Sequence, residues 1–160
     1  MFAALQFDHG LFKPQIQWIV VECAGIGQKC GGPIALPPRQ DRAYFISPHT
    51  ARQDAEDYAA FKQHQADDCL SAVETRLLTA AESGHSPARH FAYPWDHLLM
   101  AARPLSWGVL EWSGEESLGG PRTDVAYFAE GVEAETDAKV FALLRERRLT
   151  GVRNPESVSS

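Results

Sequence analysis

Hydrophobic and polar positions recur with two different periods along this chain, and the changes of period divide it into elements. Residues 2–7 and 15–22 are dense in β-branched and aromatic side chains, Ile16, Trp18, Ile19, Val20 and Val21 among them, and read as two strands. His9-Gly10 and Lys13-Pro14 supply the turn between them. Gly25, Gly27, Gly31, Gly32, Pro33, Pro37 and Pro38 exclude a helix over 24–39. A third short strand follows at 43–46.

From His49 to Ser83 there is neither Gly nor Pro, and Ser47-Pro48 offers a cap and a preorganised first turn. At 100° per residue, Ala51, Ala55, Tyr58, Ala59, Ala66, Cys69, Leu70, Val73, Leu77 and Ala80 form one stripe. His64, Asp67, Asp68 and Glu74 fall on the other side. The constant phase predicts one long helix over 48–83, about 54 Å long at 1.5 Å per residue. A break near Gln65 is the competing reading. Such a helix would have to overhang the body, bend, or pack on another chain.

Gly84 and Pro87 stop this helix, and Pro94 is expected to start a short one reaching Ala102 before Arg103-Pro104. Strands are predicted over 106–112 and 124–129. A final helix over 132–148 puts Val140, Phe141 and Leu144 on one face and Arg145, Arg147 and Arg148 in its last turn, where cations complement the helix dipole. Strands, then helices, then strands without regular βα alternation predict an α+β domain. Its sheet is small, mixed or antiparallel, with about five short strands, and it carries a long central helix, a short helix and a C-terminal helix. The chain reads as a single domain over 1–150 followed by a polar tail.

Composition adds exclusions. At 160 residues, with eight Phe, four Trp and four Tyr, the chain can bury a core without disulfide or metal. The net charge of −6 argues against a basic surface for direct contact with nucleic acid. The apolar run Trp18-Ile19-Val20-Val21 is too short to span a bilayer, and the first residues lack a basic export signal. Three cysteines, an odd number, fit free thiols in a reducing, cytoplasmic setting.

Each candidate for chemistry is incomplete. Gly25-Ile26-Gly27 follows a strand, but position 30 is cysteine and prolines forbid the helix that a dinucleotide loop needs. Cys23 and Cys30 are spaced too loosely for half of a zinc ribbon, even with His9 or His49 added, so free thiols and no metal or cofactor are expected. Cys69, within the apolar stripe, is expected in the core. His85, His90 and His97 around two prolines could converge on a catalytic metal, and with the Cys23–Cys30 loop they define an alternative, a metal- or thiol-dependent enzyme. A homo-oligomer assembled through the long helix is a third reading.

Charge placement is the most distinctive feature. Between 111 and 137 stand eight acids, Glu111, Glu115, Glu116, Asp124, Glu130, Glu133, Glu135 and Asp137, against one base, Arg122. Trp112, Tyr127 and Phe128 lie in the same stretch. Acids that steer and aromatics that anchor suit a basic protein partner, such as a nucleic-acid-binding protein. The leading expectation is therefore a non-catalytic binding module, an inhibitor or adaptor. It would use Glu111, Trp112, Glu115, Glu116, Asp124, Tyr127, Phe128 and Glu130. The bland alternative is a solvated acidic face over a buried aromatic row.

Overall fold

The structure, a computed structural model, describes residues 1–7, 16–95, 105–112 and 122–153, with side chains described to residue 150. It is an α+β fold. Strands β1 (Phe2–Gln6), β2 (Trp18–Glu22), β5 (Gln40–Phe45), β8 (Arg122–Ala129), β7 (Leu105–Trp112) and β6 (His90–Pro94) lie side by side in that order, every neighbouring pair antiparallel. Strands β3 (Gly25–Lys29) and β4 (Gly32–Leu36) form a separate hairpin. Helices α1 (Ala51–Ala66), α2 (Ala72–Glu82) and α3 (Ala134–Arg153) complete the fold.

The sheet consists of two halves drawn from the two ends of the chain, β1-β2-β5 and β8-β7-β6. They meet only where β5 pairs with β8, at Ala43 with Phe128, Tyr44 with Tyr127 and Phe45 with Ala126. Because side chains alternate across a strand, this junction feeds both faces of the sheet. Phe45 and Phe128 turn toward the helices and meet Tyr58 of α1 and Phe141 of α3. Their ring centroids lie 5.3–6.3 Å apart in tilted and edge-on arrangements. With Val20, Ala43, Val109 and Ala138 they form the main core. Tyr44 and Tyr127 turn to the opposite face, among Ile19, Val21, Leu105 and the hairpin residue Ala35.

The expected long helix is two helices. Asp68 adopts a left-handed conformation (φ 55°), its amide donates to Gln65 O, and the Cys69 amide donates to His64 O. That is the helix stop normally built on glycine. Ser71 then starts α2 with a reciprocal cap: its hydroxyl accepts from the Glu74 amide, and Glu74 accepts from the Ser71 amide. The break lets α2 turn so that Leu77, Leu78 and Ala81 pack on Phe61, Val140 and Leu143. The stripe is thus split: Tyr58 is buried, Val73 and Leu77 are half-buried, and Cys69, expected in the core, is exposed at the break. The first helix also begins at Ala51, three residues after Pro48, with Thr50 at the cap position.

Other boundaries shift for identifiable reasons. Pro94, expected to open a helix, ends β6, and the remainder of that expected helix lies outside the described residues. β6 and the β3–β4 hairpin are strands that the sequence reading does not anticipate. No helix among the described residues is long and apolar enough to cross a membrane.

Candidate interaction face

The two faces of β6, β7 and β8 have opposite chemistry. On the helix face, charges are buried and paired. Asp54 of α1, fully buried, accepts from Arg145 Nε at 3.2 Å and from Arg148, which also bonds Asp57 at 2.5 Å. Arg145 further reaches Thr50 Oγ1 at 3.0 Å, Glu111 Oε1 at 3.0 Å and His90 Nε2 at 2.7 Å. His90 Nδ1 lies 2.7 Å from Glu146. At the other end of the α1–α3 seam, Lys62, itself buried, contacts Asp137 at 3.1 Å and Glu133 at 3.0 Å. Tyr58 donates to Asp137 at 2.8 Å. Burial and the adjacent Asp137 carboxylate hold the Tyr58 phenol protonated well above its usual range.

On the outer face one carboxylate is capped by two neutral hydroxyls. Tyr93 donates to Asp124 Oδ1 at 2.7 Å and Tyr127 to Oδ2 at 2.6 Å. Burial first, then Asp124, raises both phenols well above their usual range, so both remain donors. Tyr93 on β6 reaches Asp124 on β8 across Gly108 of β7, the residue paired with both tyrosines. A Cβ on Gly108 would lie 2.8 Å from the Tyr93 ring, so only glycine leaves this passage open. Trp95 packs on Tyr127, centroids 5.0 Å apart, and on Tyr93 at 5.9 Å.

Beside this closed group the face turns outward. Phe91 of the edge strand β6 is 44% exposed and stacks on Trp112, centroids 6.2 Å apart and planes 29° from parallel. The Arg122 guanidinium lies 5.7 Å from the Trp112 ring centroid.

The structure therefore separates the residues that the sequence groups together. Glu111 points to the helix face and pairs with Arg145; Trp112 points outward. Asp124 and the buried Tyr127 bond each other, and Phe128 is core on the helix face. Glu130 is exposed at the far end of β8. Glu133 and Glu135, just beyond it, pair with Lys62 and Lys139. Glu115 and Glu116 lie outside the described residues, in the connection between β7 and β8. At about 3.3 Å per residue, the Arg122 end of β8, beside Trp112, is about 23 Å from its Ala129 end, next to Glu130.

Among the described residues, the cysteines and histidines of the catalytic alternative do not converge. Cys23 is buried in the outer-face core, whereas Cys30 is exposed on the turn between β3 and β4. His85 is exposed past the end of α2, His90 is buried with both ring nitrogens engaged, and His97 lies outside the described residues. An open cleft of about 580 Å³ is lined by Glu22, Cys23, Arg39 and Arg42, among others, but the Arg42 guanidinium is bonded to Glu22. No group of three or more metal-ligating side chains occurs among the described residues. The apolar side of α1 is covered by the sheet and α3 of its own chain.

Sequence reasoning missed Phe91 and the Asp54–Arg145 pair. Phe91-Ala92-Tyr93 alternates with a period of two, the mark of a strand, but the run is short and ends in proline. Asp54 sits between Ala51 and Ala55 on the apolar stripe, and an acid in such a position signals a buried partner. No family model, curated protein or solved structure matches this chain.

Proposed function

We propose that this domain is a non-catalytic module that binds a protein partner through the outer face of β6–β8, with Phe91 and Trp112 as apolar anchors. The observation that carries this reading is the exposed Phe91 ring stacked on Trp112 at a sheet edge. Paired, rigid aromatics with one flank open to water are the usual anchors of protein interfaces. Among the described residues no strand pairs with the outer edge of β6, whose backbone groups a partner segment can meet. The net charge of −6 favours a basic partner, for instance a nucleic-acid-binding protein to which this module acts as inhibitor or adaptor. Among the described residues, Glu111 and Asp124 near the anchors have internal partners, so charge would steer the encounter and the aromatics would hold the complex.

A photo-crosslinking residue placed at Phe91 in host cells tests this. Expected is one dominant crosslinked protein, lost when Trp112 is changed to Ala and absent when the probe replaces the exposed Val132. Equal capture from positions 91 and 132 would overturn the reading. Melting curves of each variant separate lost binding from lost folding.

A further inference from the structure

The strand that carries Phe91 is fastened to the helix layer next door, at His90. The His90 side chain is 1% exposed. Arg145 Nη1 lies 2.7 Å from its Nε2, and a guanidinium can only donate, so Nε2 accepts. The ring is therefore the neutral tautomer with its proton on Nδ1, donated to Glu146 Oε1 at 2.7 Å. The groups facing it are Arg145 and Glu146 from α3 and Glu111 from β7, whose Oε2 is 3.8 Å from Nε2. Behind Arg145 stand Thr50, at the cap of α1, and Asp54 of α1, and Arg148 and Asp57 close the cluster. Glu146 also accepts from the Arg89 amide, at the start of the same strand.

A proton added at Nε2 would place two cationic donors 2.7 Å apart, on two side chains that are both buried. Arg145 has somewhere to go, because Asp54 and Thr50 already hold it. Glu111 is close enough to turn its second oxygen to the new N–H.

We propose that His90 is a proton-operated latch: when protonated it releases β6 from Arg145 and loosens the edge strand bearing Phe91, so that mild acid alters the partner face. Its consequence for binding rests on the function proposed above; the latch itself does not. Burial holds the ring below the ordinary histidine range, with the Arg145 charge adding to this and the bond to Glu146 opposing it. The latch is accordingly closed at neutral pH.

Amide hydrogen exchange on the whole chain, followed by NMR from about pH 7.5 to about pH 5 together with the imidazole signals, tests it. Expected is a fall in β6 protection of up to about tenfold per pH unit as pH drops from about 6.5 toward the His90 midpoint, after correction for intrinsic exchange, while β2 keeps its protection. Flat β6 protection through the titration, or a fall shared equally by β2, would overturn the latch. His90→Asn retains a donor toward Glu146 and cannot titrate, so it should abolish the step. Should that variant not fold, Glu111→Gln removes the negative charge that faces the new N–H and should move the step to lower pH; an unmoved step counts against the proposal. The exchange step involves no partner. Its absence overturns the latch even if position 91 crosslinks, and a failed crosslink overturns only the binding reading.

Discussion

The helix face and the outer face of one half-sheet handle buried charge in contrasting ways. On the helix face, Asp54, Arg145 and the neutral His90 are buried, and with the partly exposed Arg148 and Glu146 they form a network in which acids and arginines are matched. On the outer face, Asp124 is satisfied by two phenols that carry no charge, and the exposed surface is aromatic. The first arrangement ties three elements together and fails badly if one member is lost. The second costs less to disturb and leaves rings free for another molecule. Acids neighbouring in sequence, Glu111 and Asp124, belong to opposite regimes, so a count of local charge says little about surface potential.

The sharpest test compares one acid from each face. Asp54→Ala takes the buried carboxylate from two arginines, one of them fully enclosed, leaving them only the partly exposed Glu111 and Asp57, and should cost about 3–5 kcal/mol in urea unfolding. Asp124→Ala leaves two neutral hydroxyls short of an acceptor and should cost about 1–3 kcal/mol. Equal losses would erase the distinction. Gly108→Ala should cost about 1–3 kcal/mol by forcing the Tyr93 ring from its passage. Adding Tyr93→Ala should remove most of that penalty, and strict additivity in a double-mutant cycle would show that the two positions do not interact.

A smaller effect comes from pH. His90 binds its proton more weakly folded than unfolded. Stability from this group is therefore complete above about pH 6.5 and declines as pH falls toward the folded-state value, by at most about 1.4 kcal/mol per pH unit. A melting temperature constant from pH 7 to about pH 5 in wild type, identical to that of His90→Asn, would contradict this. Phe91→Ala should change stability least, within about 0.5 kcal/mol, as expected of an exposed side chain. Its effect should appear in partner capture instead, which makes it the cleanest separation of the two faces.

Much of this architecture was legible in sequence where a local rule dominates. The strands around Val20 and Val109, the helix around Phe141 and the stop at Gly84 all follow from period and turn chemistry. The break at Asp68 was harder to read, because the chain uses aspartate where glycine is the familiar marker. The Ser71-Ala72-Val73-Glu74 capping box was the available sign of a new helix start. The candidate site was legible only in part. Trp112 could be singled out, but its partner Phe91 lies across a strand pair, and no local pattern pairs Asp54 with a residue 91 positions away.

The junction of β5 with β8 has a consequence for how the molecule comes into being. Each half-sheet can assemble from neighbouring stretches of chain, but joining them requires Phe45 to find Ala126 after α1, α2 and two more strands have been made. Closing so long a loop is entropically costly and is rewarded only when the aromatic rings of both halves lock together. On a ribosome the N-terminal half would therefore wait with the β5 edge unpaired until β8 emerges. Side-chain truncation at Phe45 or Phe128 should slow folding, whereas Phe91, remote from the junction, should leave the rate unchanged.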